Sequence, residues 1–152
     1  MEIRKLDQAG RDFLAKEEGG YQIKPYLCPA KIPTISAGAT YYENGNKVKL
    51  SDPMITMERA KAIFANILPI YEQAVYSITR DDINQNQFNA LVSLAYNIGC
   101  AAFKKSTVVK RVNANPNDPT IRNAFAMWNK ANGKELKGLT LRRGREANLY
   151  FS

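Results

Sequence analysis

A chain of 152 residues with 45% hydrophobic side chains is long enough for one domain with a real core, burying roughly two-thirds of its unfolded surface without staples. It contains no His and only two Cys, Cys28 and Cys100, which argues against zinc or iron sites; no metal and no cofactor are expected, and both thiols are expected to be free. The formal charge of +8 lies wholly in residues 104–152, which hold 11 Lys+Arg against 3 Asp+Glu, a distribution that draws anionic polymers without saying which.

The first 20 residues carry charges throughout and lack the apolar run of a signal peptide, and no later run of about 18 apolar residues exists. Soluble synthesis in the cytoplasm without stable membrane insertion is the expectation. Ile3, Leu6, Phe13 and Leu14 recur at helical spacing, predicting a helix over about Ile3 to Glu17 that ends at Gly19-Gly20. Glu18 then sits at the negative end of a helix dipole, which disfavours its ionised form and suits a general acid. Glu17 is the neighbour that a one-residue shift would select instead.

Residues 21 to 51 read as a small antiparallel sheet, with Thr34-Ile35 in one strand, Val48 to Leu50 in another, and Asn44-Gly45 as a hairpin turn. Tyr26, Cys28 and Thr34 fall in its Pro-punctuated first part. Thr56 is placed to cap a long helix from about Met57, whose stripe of Ala60, Ile63, Phe64, Ile67, Leu68, Tyr71 and Val75 is interrupted by Pro69, expected to kink or divide it near Leu68. A core helix is predicted over Gln85 to Gly99, a short one over Phe103 to Val112, a loop over 113–119, and a helix over Thr120 to Ala131 that is capped by Thr120 and carries Trp128. Asn132-Gly133 turns the chain into a final Arg-rich helix, Leu139 to Tyr150. Arg142, Arg143 and Arg145 in it read most simply as a solvated basic face.

Glu18-Gly19, Tyr26, Cys28-Pro29-Ala30 and Thr34-Ile35 together resemble the Glu-Gly, Tyr, Asp-or-Cys, Thr-Ile-Gly pattern of the bacteriophage-type lysozymes of glycoside hydrolase family 24. The resemblance continues through the stretch Gln87 to Cys100, Phe103, Ser106-Thr107, Trp128, Gly138-Leu139, Arg142-Arg143 and Glu146, so it spans nearly the whole chain. This chain departs from the pattern in a Glu-to-Cys gap one residue longer than usual and in the continuation Ser36-Ala37-Gly38-Ala39-Thr40, which has no His.

The resemblance implies an α+β, lysozyme-like fold in a single domain, 1–152: a small N-terminal β-hairpin lobe over about 18–56, a linking helix over 57–78, and a larger helical C-terminal lobe from 1–17 and 79–152. It implies a muramidase that cleaves the β-1,4 bond between N-acetylmuramic acid and N-acetylglucosamine in peptidoglycan, acting at the cell wall or in the periplasm in bacterial lysis. Glu18 would be the acid, and Thr34 would orient the attacking water. Cys28 stands where a carboxylate is usual and, as a neutral thiol, would need help to act as a base. Tyr26, Asn97 and Trp128 would meet the sugar, and Arg142 would support Glu18 from the last helix. A monomer without nucleic acid is expected. The alternatives from the same residues are a lytic transglycosylase and a catalytically silent module that binds walls or nucleic acid.

Overall fold

The structure, a computed structural model describing residues 2–152, divides into two compact units, Asp12–Pro69 and Met1–Arg11 with Ile70–Ser152. The first helix, α1 (Gln8–Glu17), starts later than its apolar spacing suggested, because Asp7 Oδ1 accepts the Gly10 amide at 2.8 Å and fixes the first turn there. Leu6 is still buried, but outside the helix, with its amide donating to Glu72 Oε2 at 2.7 Å.

In the unit Asp12–Pro69, β1 (Gln22–Leu27) pairs antiparallel with β2 (Pro33–Ser36). Tyr26 faces Thr34 and Gln22 faces Ser36, so four steps along β1 match two along β2 and the ladder breaks into a bulge between them. Pro25 falls in that bulge, where its missing N–H removes no ladder bond. The predicted strand over Val48 to Leu50 does not form. Val48 donates to the Thr40 carbonyl at 2.9 Å and Tyr41 makes a lone bridge to Lys47, so the segment closes a loop with no full partner strand. Asn44-Gly45 turns as expected, with Gly45 at φ +87°. Ile35, Ala39, Val48, Ile55, Ala60 and Ile63 form this unit's core, flanked by Tyr21, Ile23, Tyr42 and Ile67.

Helix α2 (Met57–Ile78) begins where predicted, Thr56 Oγ1 accepting the Arg59 amide at 3.1 Å. It is not divided at Pro69. The carbonyl that Pro69 leaves without a partner belongs to Ala65, and both residues are solvent-exposed, so water can take the place of the lost bond.

In the other unit, α3 (Gln85–Ile98) opens with a capping box in which Asn84 Oδ1 accepts the Gln87 amide and Gln87 Oε1 accepts the Asn84 amide, and Gly99 ends it at φ +92°. The single helix predicted over Phe103 to Val112 is two, α4 (Cys100–Lys105) and α5 (Thr107–Ala114). Ser106 separates them: its hydroxyl donates to the Phe103 carbonyl and accepts the Val109 amide, closing one helix and capping the next. Helix α6 (Ile121–Ala126) is shorter than predicted. The Thr120 hydroxyl donates to Asp118 at 2.7 Å instead of capping it, and Trp128 lies beyond its end. Asn132-Gly133 makes a hairpin turn between β3 (Lys130–Ala131) and β4 (Lys134–Glu135), and α7 (Lys137–Tyr150) follows. Among the described residues no helix is long and apolar enough to cross a membrane.

Gly10 allows the N-terminal segment of this unit to approach α3. A Cβ there would lie 2.5 Å from Cγ and Oδ1 of Asn89, a buried amide held by Asp7 and Gln85 at 2.9 and 2.8 Å. Gly10→Ala should therefore destabilise the protein by roughly 1–3 kcal/mol through overpacking, against the ~1 kcal/mol that Ala gains in a helix. A thermal midpoint at or above the parent's would mean that Asn89 can step aside.

Candidate active site

Glu18 owes its position to main-chain hydrogen bonding. At the end of α1 the Gly20 amide donates to the Ala15 carbonyl at 2.8 Å and the Gly19 amide to the Lys16 carbonyl at 3.1 Å, the paired bonds of a Schellman motif. Gly19 is the left-handed residue that this motif requires, at φ +90°, so Glu17 is the last helical residue and Glu18 the cap. The Glu18 side chain is half-buried.

The hairpin presents Tyr26, Cys28 and Thr34. Tyr26 and Thr34 are cross-strand partners, and the Tyr26 hydroxyl donates to the Ser36 carbonyl at 3.4 Å. Burial pushes the Tyr26 phenol up, and the negative charges of Glu18 and of a Cys28 thiolate push it the same way, so both groups lie within electrostatic reach of one ring. Cys28 opens a tight turn, accepting the Lys31 amide at 2.7 Å, with Lys31 in the left-handed region at φ +61°. Thr34 is buried, and its hydroxyl donates to the Ile32 carbonyl at 2.8 Å, which leaves the oxygen's lone pairs for another donor. Both Cys28 and Cys100 are free thiols, as expected, and burial raises the Cys100 thiol.

Ser36 has no place among the sequence-derived residues, yet the hairpin depends on it. It is wholly buried at φ +55°, its hydroxyl donating to the Ala60 carbonyl while Ile35 and Ala39 exchange two backbone bonds around it. Nothing in the spacing marks it, because Ser-Ala-Gly-Ala reads only as a loop of small residues.

Asn97, Trp128 and Arg142 lie in the other unit, and the structure joins them through residues that carried less weight in the sequence. Arg143 donates from Nη2 to Asn97 Oδ1, from Nε to the Trp128 carbonyl at 2.9 Å, and from Nη1 to Glu146 Oε1 at 2.6 Å. Arg142 donates from Nε to Glu146 Oε2 at 3.2 Å and from Nη2 to the Ser93 carbonyl at 3.3 Å. The Ser93 hydroxyl completes the group by donating to Glu146 Oε2.

This corrects the reading of the arginines as a solvated face. Arg142 and Arg143 are 5% and 1% exposed and Glu146 is fully buried; of the three arginines only Arg145 is exposed. A buried guanidinium is stable only when paired, and one carboxylate three and four residues along the same helix turn serves both. The spacing Arg-Arg-x-x-Glu was the available signal. Asn97 is exposed and Trp128 half-buried, with the Trp128 backbone rather than its ring held by Arg143.

The family model described as Phage lysozyme matches residues 16–146. The endolysin of Salmonella phage P22 is 40% identical over 137 residues, which cover 90% of this chain and 92% of that one. Among solved structures, the endolysin from Escherichia coli O157:H7 phage FAHEc1 superposes with a TM-score of 0.88 at 33% identity, over 100% of this chain and 97% of the other. The muramidase domain of SpmX from Asticaccaulis excentricus gives a TM-score of 0.80 at 28% identity, over 99% of each chain.

Proposed function

Because the chain belongs to the phage lysozyme family, we propose that it is a peptidoglycan muramidase that hydrolyses the β-1,4 bond between N-acetylmuramic acid and N-acetylglucosamine. The fold is the lysozyme-like α+β type expected, a small β-hairpin with a larger helical part. The site of action is the bacterial wall, reached after synthesis in the cytoplasm, and the enzyme works as a monomer without nucleic acid or cofactor.

Within this reading Glu18 protonates the glycosidic oxygen as the bond to the leaving sugar breaks. Water attacks the anomeric carbon from the opposite face, giving inversion. Thr34 accepts a hydrogen bond from that water through the lone pairs left by its bond to Ile32, and the proton the water gives up passes to Cys28, acting as its thiolate at the position usual for a carboxylate. Tyr26, Asn97 and Trp128 contact the sugar, with Arg142 in a supporting role. The observation that carries the proposal is the family match over residues 16–146, within which Glu18 caps α1 and Thr34 pairs with Tyr26 across the hairpin.

Mass spectrometry of digested peptidoglycan tests the outcome. Hydrolysis should leave reducing-end muropeptides as the main products. Products lighter by one water, with 1,6-anhydro ends, would mean that the substrate's own C6 hydroxyl attacks and that Thr34 and Cys28 hold no water.

A further inference from the structure

The unit Asp12–Pro69 contains a pocket of about 560 Å³ that none of the proposed catalytic or sugar-binding residues lines. One wall comes from a short alternating stretch. Val48 is buried in the core at 1% exposure, while Lys47 and Lys49 on either side of it are exposed and line the pocket. Neither ammonium forms an ion pair with a carboxylate among the described residues.

Asp52, three residues beyond Lys49, also lines the pocket and accepts its hydrogen bonds on one oxygen. Its Oδ2 accepts the Tyr42 hydroxyl and the Lys49 amide, each at 2.9 Å. Those bonds hold the Asp52 carboxyl below its usual range, the Lys49 amide contributing most, so it stays charged near neutral pH. Arg59, in the first turn of α2, lies over the Tyr42 ring at 5.0 Å and is matched by Glu43 at 2.7 Å, which fixes that side of the pocket. Pro53 and Ile55 add an apolar strip, and Asn44 and Asn46 add amides.

Two ammonium groups outside any ion pair, with a fixed carboxylate near Lys49 and apolar and amide surface beside them, complement a short zwitterionic peptide. A plain phosphate would be repelled by Asp52 and would leave the apolar strip unused. We propose that this pocket binds the peptide stem of the wall polymer, with stem carboxylates on Lys47 and Lys49 and a stem ammonium on Asp52. This rests on peptidoglycan being the substrate and adds a peptide-recognition site to a reading that otherwise concerns only sugar.

The test is an NMR titration of the ¹⁵N-labelled full chain with a free stem tripeptide ending in diaminopimelate, its carboxamide form, and inorganic phosphate. The probe contains no glycosidic bond, so the result stands independently of whether the protein cleaves walls. Saturable shifts are expected at the amides of Lys47, Lys49 and Asp52, with binding at least tenfold weaker for the carboxamide peptide and for a Lys47→Gln, Lys49→Gln variant whose other amides keep their positions. Absence of saturable shifts, equal binding by the variant, or phosphate binding as tight as the tripeptide would each overturn the proposal.

Discussion

Glu18→Gln is expected to remove wall clearing, with turnover falling by roughly 10²–10⁴-fold, because an amide of the same shape cannot deliver a proton to the leaving oxygen. The fold should not change. The Schellman bonds that set the position run entirely through main-chain atoms of residues 15–20, and neither donor nor acceptor is a Glu18 side-chain atom. Glu17→Gln, one residue back on the last helical turn, should leave clearing within about twofold of the parent. Turbidity of a wall suspension measured for both variants, with thermal melts as folding controls, decides the matter. If the effects of the two substitutions were exchanged, the acid would be Glu17, and the one-residue difference in the Glu-to-Cys gap would be what displaced it.

Glu146→Ala carries the largest expected loss of stability. The carboxylate is fully buried, receives both Arg142 and Arg143, and accepts the Ser93 hydroxyl. Removing it takes away the negative charge that two buried guanidiniums share, a change that costs roughly 3–5 kcal/mol when one partner of a buried pair is lost. At this size each kcal/mol moves the midpoint by about 2–4 °C, so a fall of roughly 6–20 °C is expected by calorimetry. Glu146→Gln keeps an acceptor but not the charge and should fall between parent and Ala variant. A drop of less than a degree or two in the Ala variant would show that the arginines are fully served by other groups.

Which parts of the fold were legible follows from how local each signal is. Thr56 caps α2 and Gly99 ends α3 because a cap needs only its own turn. Asn44-Gly45 and Asn132-Gly133 turn the chain because the left-handed backbone they adopt is a property of those residue types. Two of the misses, at Thr120 and Ser106, occurred where a side-chain hydroxyl had more than one possible partner. Thr120 is an acceptable cap in sequence, but Asp118 two residues earlier takes its hydroxyl. Ser106 interrupts a stripe that periodicity carries straight through, since Phe103, Val108 and Val112 stay buried on both sides of the break.

Of the proposed site, the candidate residues were legible in the sequence and what holds them much less so. Glu18, Tyr26, Cys28 and Thr34 fall in one contiguous stretch, so a pattern of residue types finds them together. The Arg142–Arg143–Glu146 group escaped because hydrophobic periodicity assumes that a helix buries its apolar face, whereas α7 buries Arg142, Arg143 and Glu146 along with Ala147 and Tyr150. Leu141 on the same helix is left 51% exposed. Ser36 escaped for a related reason, its hydroxyl meeting a carbonyl 24 residues away.

The charged inner face of α7 also limits where that helix can dock. Helices joined through aliphatic side chains alone tolerate a slide of one turn, about 5.4 Å, because one methyl group then meets another of nearly equal value. The seam between α3 and α7 allows no such substitution. A slide would carry Glu146 away from Ser93 and bring the guanidiniums against the hydrocarbon of α3. The contact therefore favours one alignment, the one in which Glu146 meets Ser93 and both guanidiniums.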